Sequence, residues 1–474
     1  MDKILSLKEK TSELKSTSSK VRALINSIID EKSFVEIGAL TFSSNTTFSD
    51  SKVDGEGVVT GYGAIDGISV YVYAENFEAL QGGFGKTQAD KIVNLLDMAE
   101  KTGTPVVSIL DSAGARLGEG LTLLEGYAKV MKKSADLAGI VPQIAIVNGK
   151  AFGGISYLTA MSDLTFMVEN SQLATCGPMV LQAKEGTTES YDSLIGAKTH
   201  AAKSGLNAMT LKAEEIRPTL AKVLDLILCD GEVGDESNVG NIALNGELSM
   251  AKKVEAIVDE NSAIELYADY TKSAKTYLAR IGGVAVGILT VENEICPKMA
   301  AKARKFVCML DDYNIPLVSL VNSTGTVVSK NAEQGGLIDA IANLAYTMGE
   351  STNPKISIIC EQAIGMAFSV LASKSIGFDY SLAWTSSVIS TLPVGVGAEI
   401  VYADDIKNAK NKDKAREEAI NAYAAKEADV FTAAKNGFID NIIEPSLTRP
   451  YIISALSMLQ YKSVSPKNSF TYPL

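Results

Sequence analysis

The sequence predicts an α/β protein made of two duplicated halves, each folded round a largely parallel sheet. Two observations carry this: an internal repeat spanning most of the chain, and the same strand–helix–strand alternation within each copy. A third supports it, since the apolar runs are short and broken by Gly, Pro or charge, as buried strands are.

Ile29-Asp30-Glu31-Lys32-Ser33-Phe34-Val35-Glu36 is answered far downstream by Val258-Asp259-Glu260-Asn261-Ser262-Ala263-Ile264-Glu265. Each motif precedes a hairpin-like pair of strands, with Asp66-Gly67 and Gly282-Gly283 as the turns. A helix and a buried strand follow, from Gln88 to Gly114 and from Ala300 to Gly325. Here Pro105, Ser108 and Gly114 match Pro316, Ser319 and Gly325. A third strand, Pro142 to Val147 and Pro354 to Ile359, leads in each half to a small-residue turn and another helix. The repeat sets an N-terminal domain at 1–235 and a C-terminal domain at 236–474. The acidic, Gly/Asn-rich stretch from Cys229 reads as the linker, and the tail from Ser463 as irregular. The period is far too long for a solenoid. Duplication for stability alone is one reading, and a site built between equivalent surfaces is the other.

Composition narrows the function. With 474 residues, 46% of them apolar, the chain can bury large cores, and its net charge of -12 argues against nucleic-acid binding. The charged start has no apolar signal core and no later run suits a membrane span, so a cytoplasmic enzyme is expected. Five cysteines without a C-x-x-C pair read as reduced, mostly buried thiols. A single histidine, His200, allows a Ser-His-Asp hydrolase only if it is the base, and rules out a multi-histidine metal centre. The chemistry is therefore expected to run on backbone groups, carboxylates or a cofactor.

In the first half, Val106 to Gly120 reads VVSILDSAGARLGEG: a buried strand ending at Asp111, a Ser-Ala-Gly turn, then Arg116. Free N–H groups at such a turn hold anionic oxygens, and Arg116 adds charge for a phosphate or carboxylate. An ordinary βα turn with a surface arginine reads equally well. Gly153-Gly154 follow the strand QIAIV; adjacent glycines let a ligand approach the main chain, and two N–H groups there suit an oxyanion hole. Close helix–sheet packing also wants glycine. The position recurs as Gly365-Met366-Ala367, so one oxyanion hole per half would explain the repeat chemically. His200 either pairs with a substrate group or is structural, and Lys298 to Lys305 reads as a solvated helix face.

At these motifs the sequence resembles the biotin-dependent acyl-CoA carboxyltransferase family of the crotonase superfamily. That family includes propionyl-CoA and acetyl-CoA carboxylase β subunits, the transcarboxylase central subunit, and methylmalonyl-CoA and glutaconyl-CoA decarboxylase α subunits. DSAGARLGEG resembles the family's D-S-G-G-A-R-I-x-E-G, FGGISY its A-G-G-A-x-Y, and GAKTHAAKSGLNA its G-A-x-T-H-x-x-x-S-G-x-A. The resemblance runs from about Ile25 to about Asp405. It implies two crotonase-like (ClpP/crotonase) domains, each a ββα-repeat spiral, in a homohexamer arranged as a trimer of dimers. It implies a site at the dimer interface, with a coenzyme A thioester entering beside the first domain and biotin, on a separate carrier, beside the second. Gly153 and Gly154 then fall on the first oxyanion pair, and Met366 and Ala367 on the second. Gly114, Ala115 and Arg116 line the CoA segment, Gly365 is a further cofactor-binding position, and Ser369 stands where relatives have an acid that helps shape the acyl pocket.

The implied activity moves a carboxyl group between carboxybiotin and a short acyl-CoA, either propionyl-CoA/methylmalonyl-CoA or acetyl-CoA/malonyl-CoA. The implied partners are a biotin carboxyl carrier protein and a biotin carboxylase, or a membrane decarboxylase subunit if the chain belongs to a sodium pump. The second half departs from the pattern. Relatives have Y-G-G-A-Y-D-V-M where this chain has Ile364 to Leu371, placing Met366 on a glycine and Ser369 on an acid. From Asn322, NSTGTVVSKNAEQGG lacks the family's P-G-F-x-x-G. A biotin-independent crotonase-type enzyme and a weakened scaffold subunit are the rival readings.

Overall fold

The computed structural model describes residues 2–41, 56–228, 244 and 247–462. The chain divides into two compact units, Met1–Asp225 and Leu226–Leu474. The 235/236 boundary read from the sequence, most of the linker including Cys229, and the tail from Ser463 lie outside the described residues.

Unit 1 contains β1 (Val35–Ile37), β2 (Val58–Ile65), β3 (Ile68–Glu75), β4 (Val106–Ser112), β5 (Gln143–Phe152), β6 (Leu164–Val168), β7 (Gln172–Ala174) and β8 (Met209–Leu211). They form one sheet in the order β1-β2-β3-β4-β5-β6-β8, with β7 also on β5. Unit 2 contains β9 (Ile264–Leu266), β10 (Ala274–Ile281), β11 (Val284–Ile295), β12 (Leu317–Thr326), β13 (Lys355–Ile364), β14 (Tyr380–Trp384), β15 (Val388–Ser390) and β16 (Asn441–Ile443). Its sheet order is the same, β9-β10-β11-β12-β13-β14-β16, with β15 also on β13. In both, the first three strands are antiparallel and the rest parallel.

The hairpins close as the turn residues require: Ile65 pairs with Ile68 and Ile281 with Val284. Asp66 and Gly67, and Gly282 and Gly283, all take positive φ. The central strand β4 is buried on both faces, as expected for a parallel strand covered by helices. Its cover includes the helix Lys86–Thr102, which stops at Gly103 in the left-handed region, and the helix Leu121–Leu137.

The repeated Asp of the opening motif has a structural cause. The Asp30 carboxylate accepts the N–H groups of Asp66 and Gly67, both at 2.9 Å, and Arg217 at 2.7 Å. Asp259 accepts those of Gly282 and Gly283, both at 2.8 Å, and Arg449 at 2.7 Å. Each arginine also donates to the helix end before the motif, at Ile28 and Ile257. The N–H of Gly67, more than any other group, holds Asp30 below the usual carboxylate range.

Buried lysines are repeated too. Lys91 donates to Val58 C=O at 2.9 Å, and Lys302 to Tyr267 and Ala274 C=O, both at 2.8 Å. Burial pushes both ammonium groups down to about 8. This corrects the reading of Lys298 to Lys305 as a solvated face. Lys302 is buried, and Lys298 and Lys305 lie over the rings of Tyr270 and Tyr267, each 4.8 Å from the centroid. The acceptors lie at the first residue of β2, at the first residue of β10 and just after β9. Cys360 is buried, whereas the free thiols Cys176, Cys296 and Cys308 are only partly so. Among the described residues no helix is long and apolar enough to cross a membrane.

Candidate active site

Both units break their central ladder at the same place. The β4–β5 register shifts between Leu110 and Ser112, and the β12–β13 register between Val321 and Ser323. Beyond each break a serine hydroxyl accepts the N–H of a glycine, Gly114 from Ser112 at 3.1 Å and Gly325 from Ser323 at 3.3 Å. These glycines sit at φ 116 and 108, which side chains other than hydrogen rarely tolerate. A Cβ on Gly114 would lie 3.5 Å from Phe152 C=O, and one on Gly325 3.4 Å from Ile364 C=O. The turn after the second parallel strand is thus packed on the turn after the third, in both units.

That second turn carries the donors. Gly153 and Gly365 have φ 71 and 56 and open the helices Gly154–Ala160 and Met366–Leu371. The sequence reading placed Gly153 in the first donor pair, but its N–H is bound to Ala174 C=O at 3.0 Å, securing β7. Gly365 N–H is likewise bound to Ser390 C=O at 2.8 Å. The next hydrogen-bonded amides are Ser156 to Gly153 C=O and Phe368 to Gly365 C=O. Among the described residues, therefore, Gly154 and Ile155 in one unit, and Met366 and Ala367 in the other, hold N–H groups not given to any acceptor. The two pairs are structurally equivalent, and the first is one residue later than the sequence suggested.

Gly154 has a packing reason of its own. A Cβ there would meet the Tyr127 ring at 2.5 Å, and that ring stacks on Phe84 with centroids 3.9 Å apart. Met366, in the corresponding place, is 46% exposed, with Ala367 buried beside it and Ser369 exposed.

Arg116 is not the surface arginine of the simplest reading, nor a free cation. Its guanidinium is tied to Glu56, whose side chain is fully buried, and to Glu119 at 3.2 Å. Glu119 in turn accepts Lys86 N–H at 2.6 Å. Arg116 thus fixes the turn, whose neighbour Ala115 forms an isolated bridge to Phe84. His200 is also committed. Its Nε2 lies 2.7 Å from Leu173 C=O and so carries the proton, and its Nδ1 lies 3.0 Å from Ser204 Oγ. Burial lowers its pKa, so the ring is neutral and pins β7, next to the carbonyl that binds Gly153.

A buried acid that the motifs did not reveal lies beneath this site. Glu75 ends β3, and its Oε2 accepts Asp111 N–H at 3.0 Å while its Oε1 accepts Gln88 Nε2 at 3.2 Å. Desolvation, with Asp111 adding repulsion, raises its pKa well above the carboxylate range. The only hint in the sequence is a glutamate closing an otherwise apolar strand.

The chain matches the family model described as "Carboxyl transferase domain" over residues 13–228 and 243–471. The chain belongs to the carboxyl transferase family. A propionyl-CoA carboxylase carboxyltransferase subunit of Haloferax mediterranei is 31% identical over 94% of this chain and 91% of its own length. Methylmalonyl-CoA decarboxylase subunit alpha of Propionigenium modestum is 32% identical over 92% of this chain and 89% of its own. Among solved structures, the transcarboxylase 12S hexamer with methylmalonyl-coenzyme A and methylmalonic acid bound superposes with a TM-score of 0.92. It is 29% identical and covers 99% of this chain and 97% of that one. The duplicated crotonase-like architecture expected of a carboxyl transferase is therefore present. This carboxyl transferase carries Met366 and Ser369 in the second of its two turns.

Proposed function

We propose that the chain is a carboxyltransferase subunit that moves a carboxyl group between carboxybiotin on a carrier protein and a short acyl-CoA, with propionyl-CoA and methylmalonyl-CoA as the acyl pair. The observation that carries this is the pair of equivalent turns, each with two N–H groups left for a ligand oxygen. Carboxyl transfer needs such donors twice. The Gly154 and Ile155 N–H groups would hold the thioester oxygen as it gains enolate charge. Those of Met366 and Ala367 would hold the ureido oxygen of biotin as its ring nitrogen loses the carboxyl group. Fixed donors of this kind are each worth roughly 2.7–4 kcal/mol in a transition state. Carbon dioxide leaves that nitrogen and bonds to the α-carbon, and the α-proton passes the other way, so no protein base is consumed. That fits a chain whose sole imidazole is kept neutral by burial and is already bonded to Leu173 and Ser204. Arg116, neutralised by Glu56 and Glu119, shapes the acyl-CoA side rather than meeting phosphate.

The relatives span carboxylases and a decarboxylase, and the same site serves both directions. The biotin carboxylase or membrane subunit that accompanies the carrier sets which one runs. The test is to incubate the purified protein with methylmalonyl-CoA and either free biotin or a biotinylated carrier, and to follow propionyl-CoA. Formation that depends on biotin is expected. Acyl-CoA binding without biotin-dependent exchange, for any short acyl-CoA, would favour a scaffold or a biotin-independent enzyme.

A further inference from the structure

The internal repeat serves as a control that separates what the fold needs from what the site needs. Residues kept in both units, such as Asp30 and Asp259 or Lys91 and Lys302, hold the same architecture twice. Residues that differ at equivalent buried positions are free of that demand. The hairpin registers Ile65–Ile68 and Ile281–Val284 set Glu75 opposite Val291 in the comparison of units. The paired lysines Lys91 and Lys302 likewise set Gln88 against Met299. Gln88, Met299 and Val291 are wholly buried, and Glu75 is 3% exposed. Unit 1 therefore buries a carboxyl–amide pair where unit 2 folds with a valine and a methionine. Burying polar groups costs free energy even when they are paired, so stability alone does not account for this pair.

We propose that Glu75, supported by Gln88, is a positioning residue for the acyl-CoA half of the site: it locks the Asp111–Arg116 turn and, through it, the strand that presents Gly154 and Ile155. The inference rests on the carboxyltransferase reading of those two N–H groups. The connections are direct. Glu75 Oε2 takes the N–H of Asp111, the residue at the register break. Asp111 Oδ1 takes the N–H of Lys150 at 3.0 Å and closes over Gly149, where a Cβ would lie 2.3 Å from that oxygen. Lys150 stands just before Gly153 on β5. From the other side the Tyr127 ring supports Gly154, and among the described residues its buried hydroxyl has no hydrogen-bond partner. Gln88 Oε1 is buried and unpartnered as well. Both Glu75 oxygens accept, one from Asp111 N–H and one from Gln88 Nε2, so the carboxyl group is held at both ends. Asn322, the unit 2 counterpart of Asp111, is held differently, its amide donating to Glu361, which pairs with Lys253.

The test installs unit 2's pair in unit 1, as Glu75→Val with Gln88→Met, and compares it with Glu75→Gln. Three quantities are read: melting temperature, steady-state kcat and KM for methylmalonyl-CoA with free biotin, and amide hydrogen exchange over residues 111–116 and 153–155. The double variant should fold with an unchanged or higher melting temperature and keep KM within about twofold, since the turn and not the binding surface is disturbed. Its kcat should fall on the order of ten- to a hundredfold, with faster exchange in both turns. Glu75→Gln, which keeps an acceptor for Asp111 and supplies a donor, should hold kcat within about threefold and leave exchange unchanged. The proposal is overturned by a double variant with wild-type kcat and exchange, by one that fails to fold, or by a folded Glu75→Gln that is as slow as the double variant. If the wild type shows no biotin-dependent transfer, the carboxyltransferase reading fails, and the exchange comparison still decides the role of Glu75.

Discussion

Gly154 and Met366 fill the same place in two turns, yet only their N–H groups are equivalent. The glycine is required by the Tyr127 ring, while the methionine points outward, so the substitution that looks most damaging in the sequence leaves the donor in place. Much of the site was legible at this scale, because small residues at a strand-to-helix turn mean accessible main chain. What was not legible is which amides are already used. Gly153 loses its N–H to Ala174, an acceptor supplied by β7, and no spacing rule reveals that. Arg116 taught the same lesson, since its partner Glu56 lies on a distant segment. The arginine's burial makes a prediction. Arg116→Ala would leave Glu56 buried without its cation, and should cost about 3–5 kcal/mol of stability, read by denaturant unfolding. Arg116→Met combined with Glu56→Gln should recover most of that and keep the acyl-CoA KM near wild type. A folded double variant with a KM raised tenfold or more would show that Arg116 meets the substrate directly.

At the scale of elements, the two hairpins test how context changes one motif. Asp30–Arg217 and Asp259–Arg449 have the same donors and nearly the same distances, but the first pair is partly exposed and the second has 8% exposure on both side chains. Removing one member of a buried pair strands the other, whereas an exposed partner finds water. Arg449→Ala should therefore destabilise by about 3–5 kcal/mol, and Arg217→Ala by about 1 kcal/mol or less. Chemical denaturation of both variants checks this, and equal losses would mean that the hairpin contact matters more than burial. The elements themselves were readable because their signals are local: Asp66-Gly67 and Gly282-Gly283 turns, apolar runs for parallel strands, and prolines at strand entries. The buried lysines were not, because Lys302 sits in a basic run whose pattern resembles a solvated helix face. Its acceptors, Tyr267 and Ala274, come from a different part of the fold.

For the whole molecule, each unit leaves large apolar side chains exposed. Unit 1 exposes Leu117, Leu121, Met179 and Val180, and unit 2 exposes Val328, Ile338, Val396 and Ile400. Such residues in number mark surfaces that a partner covers, and the transcarboxylase relative is a hexamer. Light scattering at micromolar concentration should give a mass near six chains of 50.2 kDa, or at least two. A stable, active monomer would contradict a site completed by a neighbouring chain. Duplication was the most legible property of all, since a repeat survives in sequence wherever the same turn, strand and cap must be built twice. The central claim is that each unit contributes one pair of main-chain donors, and Met366 allows the donor to be removed without touching the core. Carboxyl exchange between methylmalonyl-CoA and biotin should be compared in the wild type, Met366→Gly and Met366→Pro. Proline fits the first turn of a helix but has no N–H. The account predicts that Met366→Gly changes the rate only modestly and that folded Met366→Pro loses about two orders of magnitude or more. Equal rates in all three proteins would contradict it.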